Sequence, residues 1–174
     1  MIREGTDENY NKKCIDYMTK IVKYYIDPVV KQQTEKNRQL MGDLFLPNTY
    51  VLPTPFEVAD YYGIKHEVIE MDGDIPSYLN KETNTIYISQ EYSGNSYKMK
   101  QLCAHELGHY FLHASKRSAM NNDILNRYLP EERIKEYEAN VFSIILMPQL
   151  MSGMPWKTYS QKKLNRLLYQ KIIV

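Results

Sequence analysis

Cysteine is scarce in this chain: Cys14 and Cys103 are the only two among 174 residues. Disulfide-stapled secreted scaffolds are far richer in cysteine, so free thiols in a reducing compartment are expected. A long apolar run is also missing. The most hydrophobic stretch, Val141 to Met147, falls well short of the roughly 20 residues that a membrane-spanning helix needs. Nor does charge of one sign dominate: 22 Lys and Arg oppose 21 Asp and Glu, for a net charge of +1. That balance excludes a whole-protein pull toward nucleic acid or anionic lipid. Seven Gly and eight Pro exclude collagen-like and linker-dominated architectures.

What is present suits a globular chain. Hydrophobic residues make up 43% and charged residues 25%, enough to build a core. The length fits one domain of about 100–200 residues. Residues Met1 to Glu8 are polar and acidic rather than signal-like, and a cytoplasmic location is expected. Residues 41–100 hold nine acids and four bases. Residues 149–174 hold five bases (Lys157, Lys162, Lys163, Arg166, Lys171) and no acid. Such a basic tail reads first as a solvated helix face and second as a grip for an acidic partner.

Periodicity and punctuation divide the chain. Ile15, Met18, Val22 and Ile26 are spaced like one helix face. Asp27-Pro28 reads as a cap and a first helical position, predicting a second helix to about Leu40, before Gly42. Thr54-Pro55-Phe56-Glu57 reads as a capping box, with Gly63 closing a short helix. Strand-like runs follow at Val68–Met71, Ile75–Leu79 and Thr85–Ile88, with a turn at Asp72–Asp74 and a hairpin loop at Asn80–Asn84. A helix is expected after Ser96, then a polar loop over 114–129. Pro130 opens a further helix, predicted to stop near Met147 because Pro148 follows. Leu164, Leu167, Leu168 and Ile172 suggest a short C-terminal helix. The plan is α+β: a small antiparallel or mixed sheet followed by two helices.

Chemistry concentrates at His105-Glu106-Leu107-Gly108-His109. On a helix, positions four apart lie about 40° apart around the axis, so both imidazoles can meet one ion and Glu106 lies close by. Zinc suits nitrogen and carboxylate ligands and leaves a position for water. Glu106 is then the base that takes the water proton. The apolar neighbours Leu102, Leu107, Phe111 and Leu112 oppose the alternative of a surface helix with two solvated histidines, because buried polar side chains need partners.

A third protein ligand is required, and Glu136-Tyr137-Glu138-Ala139-Asn140 offers two. Glu138 shares an apolar stripe with Ile134, Val141 and Ile145, and amphipathicity slightly favours it. Glu136 stands one turn before Asn140, so one side chain can ligate while the other supports a ligand histidine by hydrogen bond. Glu136 is the choice and Glu138 the fallback. Small Ala139 permits close helix approach. His113 is expected to pack or to hydrogen-bond at the helix end, and Cys103 to be a buried thiol. Tyr110, Tyr128 and Tyr137 lie nearest the motifs as oxyanion donors, with nothing selecting one.

Ala104-His105-Glu106-Leu107-Gly108-His109 with Leu112-His113, then Glu136-Tyr137-Glu138-Ala139-Asn140-Val141-Phe142 and Leu146-Met147-Pro148, resembles the ImmA/IrrE metallopeptidases over about residues 54–148. The resemblance implies a zincin-like zinc endopeptidase with His105, His109 and Glu136 as ligands and Glu106 as the catalytic carboxylate. It also implies a helix-turn-helix repressor as substrate, cleaved to release the genes of a mobile element or stress response. Direct nucleic-acid or membrane binding is not expected. The expected organisation is a single domain: a helical extension over 1–50, a core over 54–148 and a basic tail over 149–174. A substrate strand is expected to pair with the sheet edge, at Thr85–Ile88. The rival reading is a non-catalytic antirepressor or antitoxin-like module, its structural zinc closed by a fourth ligand such as His113.

Overall fold

The computed structural model describes residues 4–46, 51–71, 75–113 and 131–151, and side chains from Ile15 onward in the first segment and over Ile134–Met147 in the last. Four α-helices and three strands occur among them: α1 (Glu4–Met41), α2 (Pro55–Tyr61), β1 (Lys65–Ile69), β2 (Ser77–Asn80), β3 (Thr85–Ser89), α3 (Ser96–Leu112) and α4 (Glu131–Met151). The architecture is α+β, as the sequence predicts. The expected turn at 72–74, the loop over 114–129, Pro130 and the C-terminal helix with its basic tail lie outside the described residues.

Helix α1 departs from expectation. The chain does not restart at Asp27; one helix runs from Glu4 to Met41 with Pro28 inside it. The reason lies in the apolar stripe, which continues across the proline. Ile15, Met18, Val22, Ile26 and Val29 are all at most 6% exposed. Burial of five such side chains outweighs the roughly 3 kcal/mol that an internal proline costs. Tyr62 also donates its hydroxyl to the Tyr25 carbonyl at 2.7 Å, in the turn that the Pro28 ring crowds. Gly42 then ends the helix with φ +53°, a left-handed conformation that glycine adopts without strain.

Helix α2 forms as its capping box predicts. The Thr54 hydroxyl accepts from the Glu57 amide at 3.3 Å, and the Glu57 carboxylate accepts from the Thr54 amide at 2.6 Å. Gly63, at φ +68°, reverses the chain, and the Ile64 amide donates back to the Ala59 carbonyl at 2.9 Å. That six-to-one bond, with buried Ile64 behind it, directs the chain into β1.

The sheet has order β1-β3-β2 and is mixed. Strand β3 runs parallel to β1, from Lys65↔Thr85 to Ile69↔Ser89, and antiparallel to β2, from Ser77↔Ile88 to Asn80↔Thr85. The hairpin closes because Asn80 Oδ1 accepts from the amides of Glu82 and Thr83 at 3.0 and 3.2 Å, an Asx turn. Ile86 and Ile88 of β3 are fully buried. The central place of β3 corrects one expectation: paired on both sides, it has no edge to offer a substrate. Strand β2 is the outer strand nearer α3.

Asn95 caps α3 by accepting from the Lys98 amide at 3.0 Å. Helix α4 continues to Met151, past Pro148, rather than stopping near Met147. A proline removes its own amide bond to the preceding turn, and here that turn, Ile144–Met147, is packed in the core and holds its shape without it. Leu102, Cys103, Ala104 and Leu107 of α3 meet Val141, Phe142 and Ile145 of α4 in one apolar cluster, which the α1 stripe joins. Burial, together with nearby Glu106 and Asp60, pushes the Cys103 thiol up from its ordinary range, so it is an inert core group. Among the described residues, no helix is long and apolar enough to cross a membrane.

The two helices touch most closely at Gly108. A Cβ there would stand 2.9 Å from Ala139 Cα, 3.1 Å from its carbonyl oxygen and 3.2 Å from Phe142 Cβ. Gly108→Ala gains about 1 kcal/mol of helix propensity, yet overpacking against rigid backbone costs about 1–3 kcal/mol. Chemical denaturation of this variant is expected to show a net loss of stability, whereas Gly94→Ala, open on all sides, shows none.

Candidate active site

Helix periodicity places His105 and His109 one turn apart on α3, and the close crossing brings Glu136 of α4 against them. His105 Nε2 and His109 Nε2 are 3.1 Å apart. Glu136 Oε2 lies 3.2 Å from His105 Nε2, and its Oε1 lies 3.1 Å from His109 Nε2. These three are the only group of metal-ligating side chains found among the described residues. Side chains of both histidines are about four-fifths buried, at 18% and 17% exposed, while that of Glu136 is 58% exposed. The site therefore has a protein floor and a wet rim.

The Nδ1 atoms face away from this cluster. Asn140 Oδ1 sits 3.1 Å from His105 Nδ1, and His113 Nδ1 sits 3.1 Å from His109 Nδ1. His113 Nε2 in turn meets Glu138 Oε2 at 2.8 Å. His113 and Glu138 are 2% and 1% exposed. Of the two acids weighed from the sequence, Glu136 is brought to the histidine pair, and Glu138 is sent to His113 on the buried side of α4.

Glu106 is buried, and its Oε1 accepts a hydrogen bond from the Ser77 hydroxyl at 2.7 Å. Ser77 stands opposite Ile88 in register, so its side chain leaves the same face of the sheet as Ile88, toward α3. Nothing local in the sequence marks Ser77, since 29 positions separate it from Glu106 and only the packing of α3 against β2 joins them. Glu106, both clustered histidines and Glu136 line a single cleft of about 650 Å³, bounded by Pro76–Leu79 on one wall and by Asn140 and Ser143 on the other.

Do these residues suit a divalent ion? Zinc bonds of about 2.0–2.1 Å in a tetrahedron set ligand atoms roughly 3.3 Å apart. The three separations of 3.1–3.2 Å come close to that edge. Two imidazole nitrogens, each facing a different oxygen of the Glu136 carboxylate and with their Nδ1 atoms already engaged, form a donor set that a cation satisfies. Hydrogen bonding from His105, then from His109, holds the Glu136 carboxyl well below the usual carboxylate range, so it is an acceptor at neutral pH. Burial disfavours charged His105, but Glu136 and Glu106 outweigh it and raise its pKa above 6.5.

The chain belongs to the Peptidase M78 family, described as the IrrE N-terminal-like domain, whose model matches residues 59–151. The match includes both motif helices and the whole sheet. No curated protein and no solved structure matches the chain.

Metal ligation requires neutral imidazole and ionised carboxylate. Because the pKa of His105 is raised, protons compete with the cation from above the ordinary histidine value downward. Zinc affinity, measured by chelator competition, is expected to fall as the pH drops from 8 to 6. Glu136→Gln is expected to weaken binding at every pH in that range. An affinity unchanged by either would leave the cluster without a metal role.

Proposed function

We propose that this member of the family is a zinc-dependent endopeptidase that cleaves a helix-turn-helix repressor. The observation that carries the metal reading is the convergence of His105 Nε2, His109 Nε2 and Glu136 within 3.1–3.2 Å of one another. His105, His109 and Glu136 hold the ion in this reading. Bound there, zinc supplies Lewis acidity, polarising the scissile carbonyl and lowering the pKa of water to about 7.

Glu106 is the proton carrier. Its carboxylate accepts the proton of the attacking water and returns one to the leaving amine. The Ser77 hydroxyl occupies Oε1, which leaves Oε2 for that exchange. Asn140 orients the His105 ring through Nδ1.

Strand β2 replaces β3 as the seat of the substrate. The Ser89 amide bonds the Pro76 carbonyl at 2.9 Å, so by antiparallel alternation Tyr78 and Asn80 also bond β3, while the main-chain groups of Ser77 and Leu79 face the outer edge. That edge pairs with no strand among the described residues and borders the cleft. An extended peptide adding there would place its carbonyls alongside the cluster.

The repressor as substrate rests on the resemblance to ImmA/IrrE peptidases, and a cytoplasmic location accords with such a target. The rival reading, a structural zinc closed by His113, is disfavoured by geometry. Both ring nitrogens of His113 are engaged, one with His109 and one with Glu138. Neither is left for an ion.

Purified protein loaded with zinc is expected to cleave a helix-turn-helix regulator from its own genetic neighbourhood. Glu106→Gln is expected to lower kcat by at least about 100-fold, the scale of general acid–base catalysis, with zinc content unchanged. Full cleavage by that variant would remove Glu106 from the reaction. Metal retention without cleavage of any such regulator would favour the binding-module reading.

A further inference from the structure

Glu138 and His113 have no part in the mechanism above, yet they are among the most deeply buried polar side chains described. An acid and an imidazole set in an apolar cluster are costly unless each hydrogen-bonding atom has a partner. Here the partners form a line: Glu138 Oε2 to His113 Nε2 at 2.8 Å, and His113 Nδ1 to His109 Nδ1 at 3.1 Å. The line ends at His109 Nε2, which faces Glu136 and His105.

Donor and acceptor rules give that line a direction. An ionised carboxylate only accepts, so His113 Nε2 carries a proton and donates it to Glu138. A neutral imidazole has one donor nitrogen and one acceptor, so His113 Nδ1 accepts. His109 Nδ1 must then be the donor. In the neutral, metal-binding form of His109 the single proton is thereby held on Nδ1, and Nε2 presents a lone pair to the cleft in place of the N–H that bonds Glu136 in the metal-free site. The opposite polarity would place a hydrogen on Nε2, between the ring and any cation.

We infer that Glu138 and His113 form a buried positioning relay that fixes the tautomer and ring plane of His109 for metal binding. The inference rests on the proposed metal site and adds two residues that contact neither ion nor substrate. Asn140 does the same service for His105 with a single side chain, so the two ligand histidines are aligned by separate devices, one a single residue of α4 and the other a pair made of the α3 C-cap His113 and Glu138 of α4. Lys81 adds a further restraint at the end of α3, donating its ammonium to the His113 carbonyl at 2.6 Å.

Replacement of His113 separates this role from simple packing. In His113→Asn, Oδ1 stands near the position of Nδ1 and can still accept from His109. His113→Leu fills the space with apolar atoms but accepts nothing. Zinc affinity of the full-length chain, from competition with a chromogenic chelator, is expected to stay within about 3-fold of wild type for Asn. For Leu it is expected to fall about 10–100-fold, the range seen when a partner of a ligand histidine is lost. The visible spectrum of the cobalt-loaded protein is expected to change for Leu and not for Asn.

Packing alone predicts the reverse order, and Leu binding as well as or better than Asn would overturn the relay. Should His113→Leu fail to fold, Glu138→Gln, which keeps an acceptor, is compared with Glu138→Met, which does not; equal affinities there overturn it as well. A wild-type chain that binds no zinc would refute the metal site itself and the relay with it, whereas loss of the Asn-over-Leu order in a zinc-binding chain refutes the relay alone.

Discussion

The close crossing of α3 and α4 is the constraint on which the site depends. At Gly108 the backbone of one helix lies against Ala139 of the other with no room for a methyl group. Only at that separation can a carboxylate from α4 come within about 3 Å of two imidazoles on α3. The glycine costs roughly 1 kcal/mol of helix propensity relative to alanine, and burial around it offsets that many times over. Leu107, Phe142 and Ala104 are fully buried. A catalytic-type constellation is thus held by core packing rather than by loops.

From that crossing the polar side of the interface follows. Helix α4 contributes Glu136, Glu138 and Asn140 within five residues, and each finds a different partner. Glu136 reaches the cleft, Asn140 the inner nitrogen of His105, and Glu138 the buried ring of His113. Positions 136 and 140 are one helical turn apart and share a face, while 138 is rotated by about 160° from that of Asn140. Glu138 meets His113 at the C-terminal end of α3 and does not line the cleft. Each nitrogen of His105, His109 and His113 consequently has an assigned neighbour.

Much of this was legible in the residues. The helix α2 with its box at Thr54 and Glu57, the hairpin around Asn80 and the pair His105 and His109 are local features, set by side chains three or four positions apart. Asn140 as the companion of His105 was also readable, because the choice between Glu136 and Glu138 turns on helical spacing. What escaped was nonlocal. Pro28 and Pro148 read as breaks, but buried stripes on either side carried both helices through them. Ser77 and the central position of β3 depend on strand order, which alternation alone does not encode. His113 reads from the sequence as a hydrogen-bonding residue, but its partner Glu138 reads equally as a ligand, because burial and metal contact both leave a carboxylate in an apolar stripe.

Ser77 belongs at once to the outer strand and to the hydrogen-bond shell of Glu106. Any peptide that extends the sheet through the main chain of Ser77 therefore tugs on the same residue whose hydroxyl steadies the acid. In the proposed reaction docking and proton transfer would share one mechanical part, so a poorly seated chain would misalign the base as well as the bond, with fidelity built into the strand rather than added by a separate gate.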